Sequence, residues 1–311
     1  MFLSQTLGPL MALYDNIDDR VKHLSLSGFK CFDVPFFSCF KKGSIYFSDD
    51  YMKVVEEYRE AIKKYDMKPV QAHEPEGNSV GDDNGEYYMK KTPRSIEMAA
   101  KIGCPSITIH PGHANTYAMT REEFVCANVK AIKKLLPYAE EYGIELLLEN
   151  IEIMDMAPVN GIYMGTAQDL IDVVDEVNHP LLNVNWDIGH ANFNGLNEYD
   201  EIKKLGSRIH GIHVHDNLGF KNFESYGKYI SGDMHTHPLF GNVNYDDVIR
   251  ALIETGYKGT FNFEVGTPSV VSYSQSDPKL MELSRDIRDK ANTMLYAIGK
   301  LLLEKYNLFE S

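Results

Sequence analysis

Strand-like runs that each end in a residue able to bind a metal recur along the chain, and they constrain the fold more than any other feature. The runs are VQAH, ITIH, LLLE, NVNWD, GIHVH and FNFE, and their polar residues are His73, His110, Glu149, Asp187, His213 and Glu264. Most runs are followed by a turn and then by a helical pattern. One such residue at each strand end predicts a ring of side chains at the carboxyl-terminal mouth of a parallel β/α barrel.

The remainder of the chain continues this alternation of strand and helix. Helical periodicity is clear over 51–65 and 121–143. The strand candidates are 2–7, 29–35, 67–73, 106–110, 144–149, 181–187, 208–215 and 259–265. Eight βα units predict an α/β fold, a single (β/α)8 TIM barrel over 1–311, with 278–311 as a C-terminal helical closure. A doubly wound open sheet would normally carry a Gly-rich phosphate turn after an early strand, and the sequence has none.

Glycines mark the helix ends in this pattern. Gly28, Gly103, Gly143 and Gly256 each precede a strand candidate, where a glycine just past the last helical turn is expected. Two connections are long for βα loops, 74–87 and 216–244, and long loops at the mouth of a barrel commonly cover or bind a ligand. The aromatic segment 35–47 either walls a pocket or packs between helices.

Charge and cysteine content narrow the class of partner and the compartment. A formal net charge of −14 argues against a nucleic-acid partner, because phosphate binding needs a basic surface. The four cysteines show no CxxC spacing and are expected to be scattered buried thiols; they are Cys31, Cys39, Cys104 and Cys126. The N-terminus shows no signal peptide, and no window approaches the ~18 apolar residues of a membrane span. We therefore expect a cytoplasmic protein without a membrane partner.

Four of the strand-end residues come from consecutive strands, the fifth to the eighth. Glu149, Asp187, His213 and Glu264 combine carboxylate and imidazole, a set that suits Mn²⁺, Co²⁺, Mg²⁺ or Zn²⁺ rather than a metal that prefers thiolates. We predict that they bind one divalent metal ion.

Five further residues are candidates for a second metal ion or for hydrogen bonds to a substrate: His73, His110, His190, Asp233 and His235. His190 follows Asp187 by three residues, a spacing that lets both side chains face one centre. His215 has the inward parity of His213 and is a candidate for supporting the site. Trp186 precedes Asp187, so the alternation of a strand points Trp186 toward the helices.

These segments also carry a family resemblance. In order along the chain they are QAHEP, ITIHPGHA, LLLENIE, WDIGHAN, IHVHDN, GDMHTHPLFGNVNYDDVIRALIETGYKG and FNFEV. Together they resemble the xylose-isomerase-like TIM-barrel superfamily over about residues 15 to 265. That superfamily joins sugar isomerases and epimerases with endonuclease IV.

The resemblance implies two different uses of the same residues. Sugar epimerases hold one divalent metal at the positions of Glu149, Asp187, His213 and Glu264, exchange protons through the two glutamates, and contact the sugar at the position of His190. Endonuclease IV instead holds three zinc ions, and its ligand positions match His73, His110, Glu149, Asp187, His190, His213, Asp233, His235 and Glu264.

The leading hypothesis is a divalent-metal-dependent isomerase or epimerase that acts on a small-molecule carbohydrate through an enediolate. Glu149 and Glu264 would transfer protons on opposite faces of the substrate, and His190 would hold a substrate oxygen. The aromatics near Phe36 and Phe37 would exclude water. The alternatives are a multinuclear zinc phosphodiesterase resembling endonuclease IV, and a lyase or deglycosylase that uses the same enolate chemistry. The C-terminal helix is a candidate contact in a homo-oligomer.

Overall fold

Eight parallel strands close into a barrel in which β8 is hydrogen-bonded to β1. The structure, a computed structural model, describes residues 1–77, 79–80, 82–112, 120–152, 163–219, 234–266 and 278–311. The strands are β1 Leu3–Thr6, β2 Cys31–Pro35, β3 Lys68–His73, β4 Ser106–Ile109, β5 Glu145–Glu149, β6 Leu182–Asp187, β7 Ile209–Val214 and β8 Phe261–Phe263. The predicted TIM-barrel fold is confirmed, and every strand lies within two residues of its predicted ends.

Helices lie between the strands. They are α1 Ile17–Leu26, α2 Met52–Tyr65, α3 Asp82–Ile102, α4 Arg121–Tyr142, α5 Ala167–Val177, α6 Ile188–Phe193, α7 Glu198–Leu205, α8 Tyr245–Thr255 and α9 Pro278–Glu304. The prediction of a long connection over 74–87 is wrong at its end, because α3 already begins at Asp82. Residues 220–233 of the other long connection lie outside the described residues.

Local sequence explains where α4 begins and ends. Thr120 accepts a hydrogen bond from the Glu123 amide (3.2 Å), and the Glu123 carboxylate accepts one from the Thr120 amide (2.8 Å), so two free N–H groups of the first turn are satisfied. The helix ends at Gly143, whose φ of 63° is the left-handed conformation that glycine adopts without a Cβ clash. The turn then delivers the chain directly into β5, which carries Glu149 to the mouth.

Strand alternation separates the side chains of β6 into two environments. Trp186 is fully buried and donates its indole N–H to the carboxylate of Glu198 at 3.0 Å, so it packs against α7 as predicted. The next residue, Asp187, has the opposite parity and faces the mouth. The same alternation in β7 places His213 inside the barrel and leaves His210 exposed.

The thiols are unpaired, as expected from their spacing, but one prediction about them is wrong. Cys31, Cys39 and Cys104 are buried, whereas Cys126 is exposed on α4. Among the helices of the described residues, none is both long enough and apolar enough to cross a bilayer.

Candidate metal centre

The four predicted ligands converge at the carboxyl-terminal mouth of the barrel. Glu149 and Asp187 are the last residues of β5 and β6, His213 pairs in register with Asp187, and Glu264 directly follows β8. One ligand atom from each of the four lies within 4.8 Å of one from every other. Parallel strands that end at the same rim therefore bring together residues that are far apart in sequence.

The imidazole of His213 lies at the centre of this four-residue group. Its Nδ1 is 2.5 Å from Glu149 Oε1, 3.1 Å from Glu264 Oε2 and 3.8 Å from Asp187 Oδ2. Glu149 and Asp187 are fully buried, while the side chain of Glu264 is 22% exposed. The centre is therefore closed below and open toward solvent on the side of Glu264.

The donor set fits a cation. Three carboxylates crowd one imidazole, and their mutual repulsion needs a positive charge to offset it. Among the described residues, Asp187 Oδ2 is buried and has no hydrogen-bond partner, and His213 Nδ1, at 3.8 Å, is too far away to donate to it. Buried polar atoms are nearly always satisfied, and metal coordination is one way to satisfy them.

Burial and neighbouring charges shift the pKa values of the glutamates and the histidine in this centre. Burial alone would raise the pKa of Glu149, but the imidazoles of His213 and His110 hold that pKa well below its ordinary value. Burial acts on Glu264 in the same sense, and His213 and His235 again lower the pKa below its ordinary value. Burial lowers the pKa of His213, yet Glu149 and Glu264 raise it well above the usual range. Both glutamates are therefore ionised at neutral pH, and a divalent ion would displace a proton from His213.

A second group shares Glu149 with the first. His110 Nε2 lies 3.0 Å from Glu149 Oε2, and His73 Nε2 lies 3.8 Å from the same oxygen. These three residues also have ligand atoms within 4.8 Å of one another. Burial and the neighbouring His110 lower the pKa of His73 to about 4, so His73 is neutral at pH 7, as a ligand or hydrogen-bond acceptor must be.

Glu74 supports this second group, and the sequence reasoning did not include it. Its carboxylate accepts hydrogen bonds from the His110 amide (2.5 Å) and from the Tyr88 hydroxyl (2.5 Å). Burial raises the pKa of Glu74 to about 7. The available signal was its position immediately after His73, since a strand-end residue and its neighbour both lie at the rim.

A third group consists of His190, His215 and His235. His215 stacks on His235 with ring centroids 3.8 Å apart, and its Nε2 lies 3.0 Å from Asp187 Oδ1. Asp233, predicted as a ligand of a second metal ion or as a hydrogen-bond partner of a substrate, lies outside the described residues. His215 was assigned only a supporting role in the sequence analysis, although its inward parity in β7 was the signal for its place in this group.

Gly189 makes room for this third group at the start of α6. A Cβ added there would lie 2.0 Å from Cε1 of the His215 ring, which His235 and Asp187 confine on other sides. We expect Gly189→Ala to lower the free energy of unfolding by about 1–3 kcal/mol, as overpacking typically does. Urea denaturation measures this, with Gly8→Ala as control, because a Cβ at Gly8 meets nothing nearer than 3.5 Å. Equal effects of the two substitutions would contradict the steric account.

The aromatic segment after β2 was expected either to line a pocket or to pack between helices, and its first two aromatic residues differ in this respect. Phe36 is fully buried and packs edge-on against Phe40, so its ring belongs to the core. Phe37 is 47% exposed and its ring meets His73 edge-on at 5.8 Å. Phe37 alone of these two therefore lines the mouth.

The sequence profile of the xylose isomerase-like TIM barrel family matches residues 21–289, and the chain belongs to that family. An uncharacterized protein of Methanocaldococcus jannaschii is 28% identical over 173 residues, which are 55% of this chain and 54% of that protein. An uncharacterized protein of Sinorhizobium fredii is 22% identical over 209 residues, 63% of this chain and 61% of that protein. The chain thus spans about half the length of the first of these curated relatives.

Solved structures show the same fold. A D-tagatose 3-epimerase-like protein superposes with a TM-score of 0.68 at 22% identity, covering 92% of this chain and 99% of that one. An IolI protein with a bound zinc atom gives 0.72 at 16% identity, covering 98% and 99%. D-psicose 3-epimerase with D-tagatose, from Clostridium cellulolyticum H10, gives 0.68 at 15% identity, covering 97% and 99%.

Proposed function

We propose that the protein is a divalent-metal-dependent isomerase or epimerase acting on a sugar or sugar derivative. The observation that carries this proposal is the placement of two glutamates in one shell, where Glu149 Oε1 and Glu264 Oε2 lie 2.5 Å and 3.1 Å from the same nitrogen of His213. The fold shared with sugar epimerases, one of them solved with D-tagatose, supports this substrate class.

The chemistry needs a Lewis acid and a base on each face of the reacting carbon. A divalent ion held by Glu149, Asp187, His213 and Glu264 would polarise a substrate carbonyl and the adjacent hydroxyl. Glu149 comes from β5 and Glu264 from the end of β8, so the two carboxylates approach from different sides of the ring of strands. One would accept the proton from the carbon next to the carbonyl as the C–H electrons move toward the carbonyl oxygen. The other would return a proton to that carbon, or to its neighbour in an isomerase.

Neighbouring residues would bind and orient the sugar. His190 Nδ1 lies 2.8 Å from the Asn150 carbonyl oxygen, and this contact fixes the orientation of the ring. The other ring nitrogen, Nε2, then lies 3.4 Å from a carboxylate oxygen of Glu152. We assign His190 to a substrate oxygen on this geometry. The half-exposed ring of Phe37 offers an apolar surface for the C–H face of a sugar beside His73.

Solvent exchange tests the proposed reaction. We expect the metal-loaded protein, incubated in D₂O with a panel of ketoses and aldoses, to convert at least one sugar and to place deuterium on the carbon next to the carbonyl. Deuterium at this carbon shows that the carbon lost its proton to a base of the enzyme and received a deuteron that came from the solvent. NMR spectroscopy and mass spectrometry of the sugars measure both events, and the double variant Glu149→Gln/Glu264→Gln is the control. Conversion of the sugar by that double variant would contradict the proposal.

One observation favours a second candidate, a multinuclear zinc phosphodiesterase. Glu149 belongs both to the four-residue group and to the group with His73 and His110, so adjacent ions could share it. Ions that share a ligand can clamp a scissile phosphate and supply a hydroxide. Against this candidate stand the net charge of −14 and the acidic segment after His73, both of which repel a phosphate backbone.

Three measurements separate these candidates. We expect one tightly bound ion per chain in protein purified without added metal, and no cleavage of a duplex that contains an abasic site. The acidic surface should also prevent measurable binding of duplex DNA at physiological salt. Two or three ions together with cleavage of the abasic duplex would reverse the ranking.

A further inference from the structure

We infer that Gln71 is a positioning residue that fixes which nitrogen of His213 faces the metal, through a buried amide network that also holds Glu149. This inference rests on the metal centre of the proposed function. Gln71 lies in β3 inside the barrel, below the mouth, and it is 3% exposed. It is not one of the strand-end residues, and its side chain contacts the centre from underneath.

The two nitrogens of His213 face different surroundings. Nδ1 faces the carboxylates of Glu149 and Glu264, whereas Nε2 lies 2.7 Å from the amide of Gln71. Asp33 Oδ2 is 4.0 Å from Nε2, too far for a hydrogen bond. An imidazole nitrogen that binds a metal must be unprotonated, so Nδ1 can serve only when the proton is on Nε2.

This requirement determines how the Gln71 amide is oriented. Nε2 of His213 carries a proton in the metal-binding form, so the group 2.7 Å away must then accept a hydrogen bond. The structure has the amide nitrogen of Gln71 at this point and its amide oxygen toward Gly211. The oxygen and nitrogen of a glutamine amide have nearly the same shape, so the hydrogen-bond network decides between the two orientations. The amide oxygen of Gln71 therefore faces His213. The same atom lies 2.7 Å from Thr108 Oγ1, and one carbonyl oxygen can accept from both groups.

The NH₂ group of Gln71 then points toward a buried acceptor that otherwise has no donor. A Cβ added at Gly211 would lie 2.6 Å from Asn185 Oδ1 and 3.0 Å from the second terminal atom of the Gln71 amide, so both atoms border the space that glycine leaves. Asn185 Oδ1 is buried and has no hydrogen-bond partner among the described residues. Asn185 Nδ2 in turn donates to Glu149 Oε1 at 3.1 Å. One network therefore orients two of the four ligands.

Zinc binding followed on His213 itself tests this inference. In ¹⁵N-histidine-labelled protein with Zn²⁺ bound, NMR reports which ring nitrogen carries the proton, and the signal missing from His213→Gln identifies the residue. Because this signal comes from His213 alone, it does not report Zn²⁺ ions that bind at the other two groups of histidines. We expect the proton on Nε2 in the wild type. Gln71→Met keeps the volume but removes the acceptor, so it should weaken Zn²⁺ binding by about 10–100-fold, the usual effect of losing a supporting partner.

The matched variant is Gln71→Glu, which restores an acceptor beside Nε2 and should restore Zn²⁺ binding at His213. A residue that only fills space would give a different pattern, with the Zn²⁺ affinity reported by the His213 signal unchanged in Gln71→Met. That pattern overturns the inference. A proton on Nδ1 of His213 in the Zn²⁺-bound wild type also overturns it, and this second result does not depend on whether the variants fold. Failure of the metal centre is distinguishable, because the wild-type His213 signal would then not respond to Zn²⁺ at all.

Discussion

Replacement of either Glu149 or Glu264 by glutamine is expected to lower turnover by about 10²–10⁴-fold, the usual contribution of a general acid or base. Glutamine keeps an oxygen for the metal but cannot accept a proton at neutral pH. The neighbouring imidazoles hold the pKa of each carboxyl below its ordinary value, so both residues are ionised and able to act as bases. Steady-state kinetics with metal content measured on the same samples separates loss of the base from loss of the metal.

Glu145→Gln is the matched control for this experiment. Glu145 begins β5, the strand that Glu149 ends, and lies at the opposite end of the barrel, where it contacts His210. Its substitution should leave turnover near the wild-type value. Substantial turnover by both Glu149→Gln and Glu264→Gln, with metal bound, would remove these residues as the proton-transfer pair.

Saturation with a divalent ion is expected to stabilise the wild-type protein by about 4 kcal/mol when the free ion is near one thousand times its dissociation constant. Asp187→Asn should lose most of this gain because the centre loses one of its three carboxylates. Asparagine still offers an oxygen to the His190 amide, which Asp187 caps at 2.6 Å, so the metal-free variant should fold normally. Thermal unfolding with Mn²⁺ and with chelator measures the difference.

The stabilisation of the wild-type protein by the divalent ion should also decrease at mildly acidic pH. The carboxylates around His213 raise its pKa well above the ordinary value, and a proton that occupies Nδ1 competes with the ion. An Mn²⁺-dependent stabilisation that is equal in the wild type and in Asp187→Asn would show that the ion binds elsewhere.

Much of this fold and centre could be predicted from sequence because the strands are short apolar runs that end in polar residues. Parallel strands share one rim, so Glu149, Asp187, His213 and Glu264 had to lie near one another once eight strands were counted. The third histidine group was only partly predictable. His215 stacks on His235, and that contact depends on the path of the connection after β7 and on the room left by Gly189.

Residues inside the barrel were the least predictable. Gln71 and Asn185 look like ordinary strand residues in sequence, and only barrel closure places the Gln71 amide 2.7 Å from His213 and Asn185 3.1 Å from Glu149. Phe36 and Phe37 are adjacent and chemically identical. Their opposite roles follow from the direction of the chain as it leaves β2, and composition does not record that direction.

The position of the bound metal tests the central claim most directly. Crystals grown with Mn²⁺ and measured for anomalous scattering should show an ion within roughly 2.0–2.6 Å of an oxygen or nitrogen of Glu149, Asp187, His213 and Glu264. His213 should bind it through Nδ1. An ion found only among His190, His215 and His235, with the four-residue centre lacking anomalous density, would contradict the account.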